Sequence, residues 1–308
     1  MEQILKIKSD KLKVLVSPEV GGSIYSFEYY HGDDWLNIMR PTPRTALESK
    51  EAGDFSSYNL IPFSNRIENG ILRYKGREYR LAINNDDGHT IHGEVWQRPL
   101  KVTYNDNSRI VLTFDSRDFD DMSWPFPFYS EITYELIDED SLAIHLLIKN
   151  IGETTMPAGM GIHPYFMRRL TESDNKVELR MPIKGIYPGD TTIPTGTYVD
   201  VEERLDFSKG RELTDDFLDN CFAIGDDDII ITWPGSGVQL TMKKDAIFSH
   251  GIIYCPMDNK DFFAIEPVTN CNNGFNMDEK GIKNTGTVHL APGEILEGTI
   301  ELRLGDIK

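Results

Sequence analysis

Cysteine is scarce in this chain, and its spacing removes two chemistries at once. Cys221, Cys255 and Cys271 are odd in number and far apart, so they cannot all pair within one chain and form no close CxxC motif of the zinc or thiol-redox kind. That usage fits a reducing compartment. Long apolar runs are also missing. The opening residues interrupt Leu5 and Ile7 with lysines and so lack a signal peptide's hydrophobic block, and no later stretch approaches the roughly 20 apolar residues of a membrane span. A cytoplasmic protein without membrane partners is the expectation. Positive charge is in deficit: 32 basic against 50 acidic residues leave a net charge of -18. A field of that sign repels phosphate backbones and anionic lipid, which argues against nucleic acid as a partner. No glycine-rich phosphate loop and no metal-ligand spacing stand out, so no cofactor and no metal are expected.

What the chain does have is alternation with a period of two. Leu5 and Ile7, then Leu12, Val14 and Val16, read as a hairpin about Ser9-Asp10. The pattern is cleanest in Ile110, Leu112 and Phe114 and in Leu142, Ile144, Leu146 and Ile148, as antiparallel strands with one buried face require. No helical period survives for long. Residues 31–57 read as loop with a short helix over 45–52, residues 124–129 as a rigid corner of rings and prolines, and residues 171–216 as turn-rich chain without a nameable element. The fold class is therefore all-β, a large antiparallel β-sandwich. With 308 residues and 39% apolar content there is material for a large core, and sandwiches of roughly 200–250 residues routinely remain one domain, so 1–308 is expected to be a single domain.

A few residues stand out as chemistry-bearing. His163 lies in Gly161-Ile162-His163-Pro164-Tyr165-Phe166, where a glycine, a proline and aromatics hold one imidazole; it is either a satisfied core histidine or an acid-base group. Glu266 ends an apolar strand and precedes Pro267. Apolar surroundings raise a carboxylate's pKa towards the range of a useful base, although a structural pair with an arginine would place a glutamate there too. Asn65 and Arg66 follow an apolar run; the guanidinium's five donors suit sugar hydroxyls, and a salt bridge is its commoner use. His89 and His92 are three apart, which in an extended strand points them to opposite faces and disfavours a shared metal; His92, before Gly93, is the functional candidate. Trp96 nearby is either core or an apolar face for a pyranose. Asp219 sits in an apolar stretch and must have a partner, structural or ligand.

With those residues quoted, the chain resembles the aldose 1-epimerase family of the galactose mutarotase type over nearly its whole length. The signatures occur in the family's order: Pro62-Phe63-Ser64-Asn65-Arg66-Ile67, Ile91-His92-Gly93, Gly161 to Phe166, and Ile265-Glu266-Pro267-Val268-Thr269. The resemblance implies a β-supersandwich that interconverts the anomers of a hexose without cofactor. It makes His163 the general acid, Glu266 the general base and His92 a second imidazole at the sugar, with Asn65, Arg66 and Asp219 on hydroxyls. To protonate a ring oxygen His163 should be imidazolium, a form that nearby carboxylates favour and burial opposes; the expectation is that the carboxylates win. Two rivals remain open. One is an epimerase for a phosphorylated or sulfonated hexose, with Arg168-Arg169 or Arg73 and Arg77 meeting the anion; the other is a carbohydrate-binding sandwich without chemistry.

Overall fold

The computed structural model describes residues 4–189 and 192–307, and the alternating segments assemble into two large antiparallel sheets. One sheet runs, in spatial order, Leu5–Lys8, Leu12–Ser17, Ser23–His31, Ser57–Leu60, Gly161–Met167, Phe262–Val268, His250–Cys255, Leu218–Ile224 and Ile183–Ile186, with Asp34–Asn37 paired to Ser23–His31. The other is built around Arg109–Asp115, Phe128–Asp138, Ser141–Asn150, Ile295–Asp306 and Val238–Lys244. The hairpin at Ser9 forms because the Leu12 N–H donates to the Ser9 hydroxyl at 2.8 Å. Between the sheets lies the main core. Phe166, Phe222, Phe263 and Ile265 come from the first sheet, and Ile110, Leu112, Ile144, Leu240 and Ile300 from the second.

Because side chains alternate across a strand, every strand that gives its even or odd set to this core offers the other set to the opposite face. On the first sheet that second face is also buried. It carries Tyr58, Tyr165, Cys221, Ile252, Ala264 and Val268, covered in part by Trp96 and Tyr187 from the connections. A sheet buried on both sides loses the clean apolar-polar alternation, which is why Gly161–Met167 and Phe262–Val268 read as continuous apolar runs.

Several local expectations are corrected. The helix placed at 45–52 is one α-turn at Thr45–Ser49, ended by Lys50 at φ 58, and a separate 3-10 turn at Ala52–Asp54. Residues 171–216 do hold strands, Glu178–Arg180, Ile183–Ile186 and Arg211–Glu212, which extend the ends of both sheets. They are too short for a period to show. Arg168, one of the arginines suggested for an anionic sugar, is buried, and its guanidinium donates to the Leu213 and Thr214 carbonyls at 2.8 and 3.0 Å.

Candidate active site

The register of three strands builds the site. Gly161–Met167 pairs with Ser57–Leu60 so that His163 faces Tyr58, and with Phe262–Val268 so that Gly161 meets Val268 and Tyr165 meets Ala264. The same register sets His163 beside Glu266, both on the face turned away from the main core. Glu266 in turn pairs with Ile252, and Ile252 with Cys221. One row across the sheet is thus Tyr58, His163, Glu266, Ile252, Cys221, and the row beside it is Tyr165, Ala264, Tyr254, Asp219.

Within the first row His163 Nε2 lies 3.0 Å from Glu266 Oε1, and both side chains are almost fully buried. Two aromatic rings pack against the imidazole. It is stacked on Tyr58 with ring centres 4.6 Å apart and held against Tyr165 at 4.5 Å. Pro164 and Pro267 follow the two residues and keep their backbones extended. His163 Nδ1 and Glu266 Oε2 are buried without a hydrogen-bond partner among the described residues. Natural interiors seldom leave such atoms unpaired, and when they do a ligand is a common reason.

His92 arrives from the other side of the cleft. The strand before it is only Thr90–Ile91, and at His92 the backbone turns through φ 64 while its N–H donates to the Asn65 carbonyl at 3.0 Å. Gly93 must be glycine: at φ +75 a Cβ would lie 2.2 Å from the Ile61 carbonyl oxygen. This turn carries the His92 ring to 5.5 Å from the His163 ring, perpendicular to it, with Nε2 3.4 Å from the Tyr58 hydroxyl. His92 Nδ1 is likewise buried and unpartnered. The strand geometry expected for His89 and His92 does not apply, yet the two are still separated, because His89 Nδ1 accepts the Asn69 N–H at 3.0 Å. Among the described residues no group of three or more His, Cys, Asp or Glu is placed to hold a metal ion.

Arg66 closes the cleft. Its Nε donates to Asp87 at 2.6 Å, Nη1 to the Asn65 side chain at 3.1 Å, and Nη2 stands 3.8 Å from Asp219. The salt-bridge and the substrate readings of Arg66 are therefore not exclusive. The bridges to Asp87 and Asn65 aim the guanidinium, and its contact to Asp219 is looser. Asn65, at φ 56, spends its side-chain oxygen on Arg66, bonding both the backbone N–H and Nη1. Trp96 is core and site at once, buried and edge-on to His92 at 5.6 Å. Tyr58 and Asp87 are functional-looking residues that the sequence did not single out. Tyr58 sits in an unremarkable strand, and only its pairing with His163, over a hundred residues away, gives it a place.

Charge in the cleft is governed by burial. Desolvation pushes Glu266 well above the ordinary carboxylate range, with Asp219 adding to the rise and Arg66 opposing it. It lowers His163 to about 3, and it lowers His92 well below an ordinary imidazole with help from His163 and Arg66. Burial works against the resting imidazolium expected from the sequence: removing both partners from water disfavours the ion pair and favours a neutral pair with one proton between them across the 3.0 Å contact. Asp219 is raised too, first by burial.

A family model described as aldose 1-epimerase matches residues 3–303. The chain is 29% identical over 223 residues to the protein YihR of Escherichia coli K12, covering 70% of each, and 25% identical over 315 residues to YphB of the same organism, covering 98% of each. In structure it resembles a galactose mutarotase-like protein from Clostridium acetobutylicum, with a TM-score of 0.86, 18% identity, and 99% and 96% of the two chains covered. That likeness concerns the fold.

Proposed function

The chain belongs to the aldose 1-epimerase family, and from that premise we propose that it interconverts the α and β anomers of a hexose through the Glu266–His163 pair. One observation carries the reading: a carboxyl and an imidazole, both buried, lie 3.0 Å apart, with the imidazole stacked on Tyr58 and 5.5 Å from the His92 ring. Mutarotation needs that inventory. A base takes the proton of the C1 hydroxyl and an acid gives one to the ring oxygen; the C1–O5 bond breaks, C1 turns, and the aldehyde recloses on its other face as both transfers reverse. Glu266 is the base and His163 the acid. An entering sugar that puts its C1 hydroxyl on Glu266 and its ring oxygen on His163 divides the resting hydrogen bond, and Arg66 favours the carboxylate form of Glu266. The shared proton then belongs to His163, so the pair meets the substrate with one base and one acid although neither is charged at rest. His92 and Asp219 with Arg66 and Asn65 bind the remaining hydroxyls. Each positioned acid or base is worth about 10²–10⁴-fold.

A binding module without chemistry has no use for a buried acid-imidazole pair, whose burial opposes folding. Two of the arginines suggested for an anionic substituent have other occupations: Arg73 stands 3.4 Å from Glu78, and Arg168 is tied to backbone carbonyls. The test is anomer exchange measured by proton NMR across neutral, phosphorylated and sulfonated hexoses, with and without protein. Acceleration of none of them refutes the proposal.

A further inference from the structure

Arg66 stands between two carboxylates and treats them unequally. Its Nε donates to Asp87 Oδ2 at 2.6 Å, whereas Nη2 stops 3.8 Å from Asp219 Oδ2, beyond hydrogen-bond reach. Asn65 takes Nη1, and Nη2 makes no hydrogen bond among the described residues. The guanidinium and both acids are poorly hydrated, with the side chains of Arg66, Asp219 and Asp87 13%, 17% and 32% exposed. Burial works to raise both acids. In Asp87 the hydrogen bonds from Arg66 and Asn85 outweigh it and hold the carboxyl below its usual range, while Asp219 stays raised, with Arg66 opposing and Asp87 adding to the rise.

The loop that carries Asp87 is braced to deliver it. Arg66–Ile67 and Thr90–Ile91 form a two-stranded ladder in which Arg66 is paired with Ile91. The Asn84 side chain clasps the same Ile91, accepting its N–H at 2.7 Å and donating to its carbonyl at 3.0 Å, so the two ends of the loop are pinned beside Arg66. Within the loop the Gly88 N–H donates to the Asn85 carbonyl at 3.1 Å, and Asp87 Oδ1 accepts the His89 N–H at 3.1 Å, which leaves Oδ2 for the guanidinium. His89 Nδ1 takes the Asn69 N–H, and that bond ties the loop to the turn that follows Arg66 and Ile67. An ordinary surface ion pair between two freely rotating side chains lacks such bracing and contributes little.

Without Asp87 the guanidinium would have one carboxylate left to turn to. Closing the 3.8 Å gap to a hydrogen-bond distance needs only a small side-chain movement, and the resulting Arg66–Asp219 pair would spend on each other the groups that face the sugar. We propose that Asp87 is a positioning residue for the reaction: it takes the Nε edge of Arg66, withholds the guanidinium from Asp219, and so keeps Nη2 and the Asp219 carboxyl open to substrate hydroxyls. Asp87 acts only through Arg66. This rests on the mutarotase reading, in which Arg66 and Asp219 receive the sugar.

The experiment measures kcat and KM for anomer exchange, the sugar Kd by NMR titration, and Tm, with the hexose that the wild type exchanges fastest. The proteins are the wild type, Asp87→Asn, Arg66→Ala and the double variant. Asp87→Asn keeps an acceptor for the His89 N–H and removes the charge that holds Nε. It should raise KM and Kd about tenfold, the worth of one charge-assisted hydrogen bond to a hydroxyl, with kcat within about threefold and Tm within about 2 °C of the wild type. In the Arg66→Ala background the same substitution should change Kd by less than about twofold, because the group it positions is gone. An unchanged or lower KM in Asp87→Asn, or a loss of equal size in the absence of Arg66, overturns the positioning role and leaves the mutarotase reading standing. A wild-type protein that accelerates no hexose removes both.

Discussion

Glu266→Gln tests the central pair with the least disturbance to the fold. The amide has the size of the carboxyl, and it can keep a hydrogen bond across the 3.0 Å to His163 Nε2. The other oxygen, Oε2, has no partner to lose among the described residues. One hydrogen bond of net worth about 1 kcal/mol is therefore the most that stability should lose, a change of roughly 2–4 °C in Tm for a chain of this order of size. Activity should fall much further. A positioned base contributes about 10²–10⁴-fold, equivalent to roughly 3–5 kcal/mol of transition-state stabilisation. The separation between these two magnitudes makes the experiment decisive. Anomer exchange is followed by polarimetry on freshly dissolved α-glucose and by saturation-transfer NMR, corrected for catalysis by buffer, with thermal unfolding measured on the same preparation. A folded Glu266→Gln protein that retains near wild-type exchange would refute the assignment of the base.

The wild-type pH profile of kcat/KM should be bell-shaped and broad. Burial holds His163 near 3 and Glu266 above its usual range, so the pair gains a second proton only in acid and loses its single proton only well above the ordinary carboxylate range. In His163→Asn, most of the activity should disappear and the residual rate should follow one titration in place of two. An unchanged alkaline limb in that variant would assign the acid to another group, His92 first. Gly93→Ala should destabilise by more than about 2 kcal/mol, from the left-handed backbone and the collision with Ile61, and should raise KM by displacing His92; an unchanged Tm contradicts it. Dialysis against a chelator should leave the exchange rate unaltered, and zinc-restored activity would overturn the roles given to the histidines.

The sequence by itself determined the fold class and singled out the candidate reacting groups. Alternation in Leu142 to Ile148 and in Ile110 to Phe114 is a local consequence of strand geometry, visible because one face is buried and the other is not. Four short motifs in order led to His163, Glu266, His92 and Arg66, and their geometry brings all four to one cleft. The turn at Gly93 was legible as a glycine, but its direction was not, since only a chain already folded around Ile61 has a carbonyl in the way. Tertiary structure alone decided the rest. Tyr58 and Arg40 acquire their places through pairings and stacks with residues more than a hundred positions distant, and no local pattern encodes such a partner. The charge state of the Glu266–His163 pair is the clearest instance. From the sequence the carboxylates stood to hold His163 charged, whereas two covered faces of one sheet keep water from both groups, and desolvation pushes each towards its neutral form.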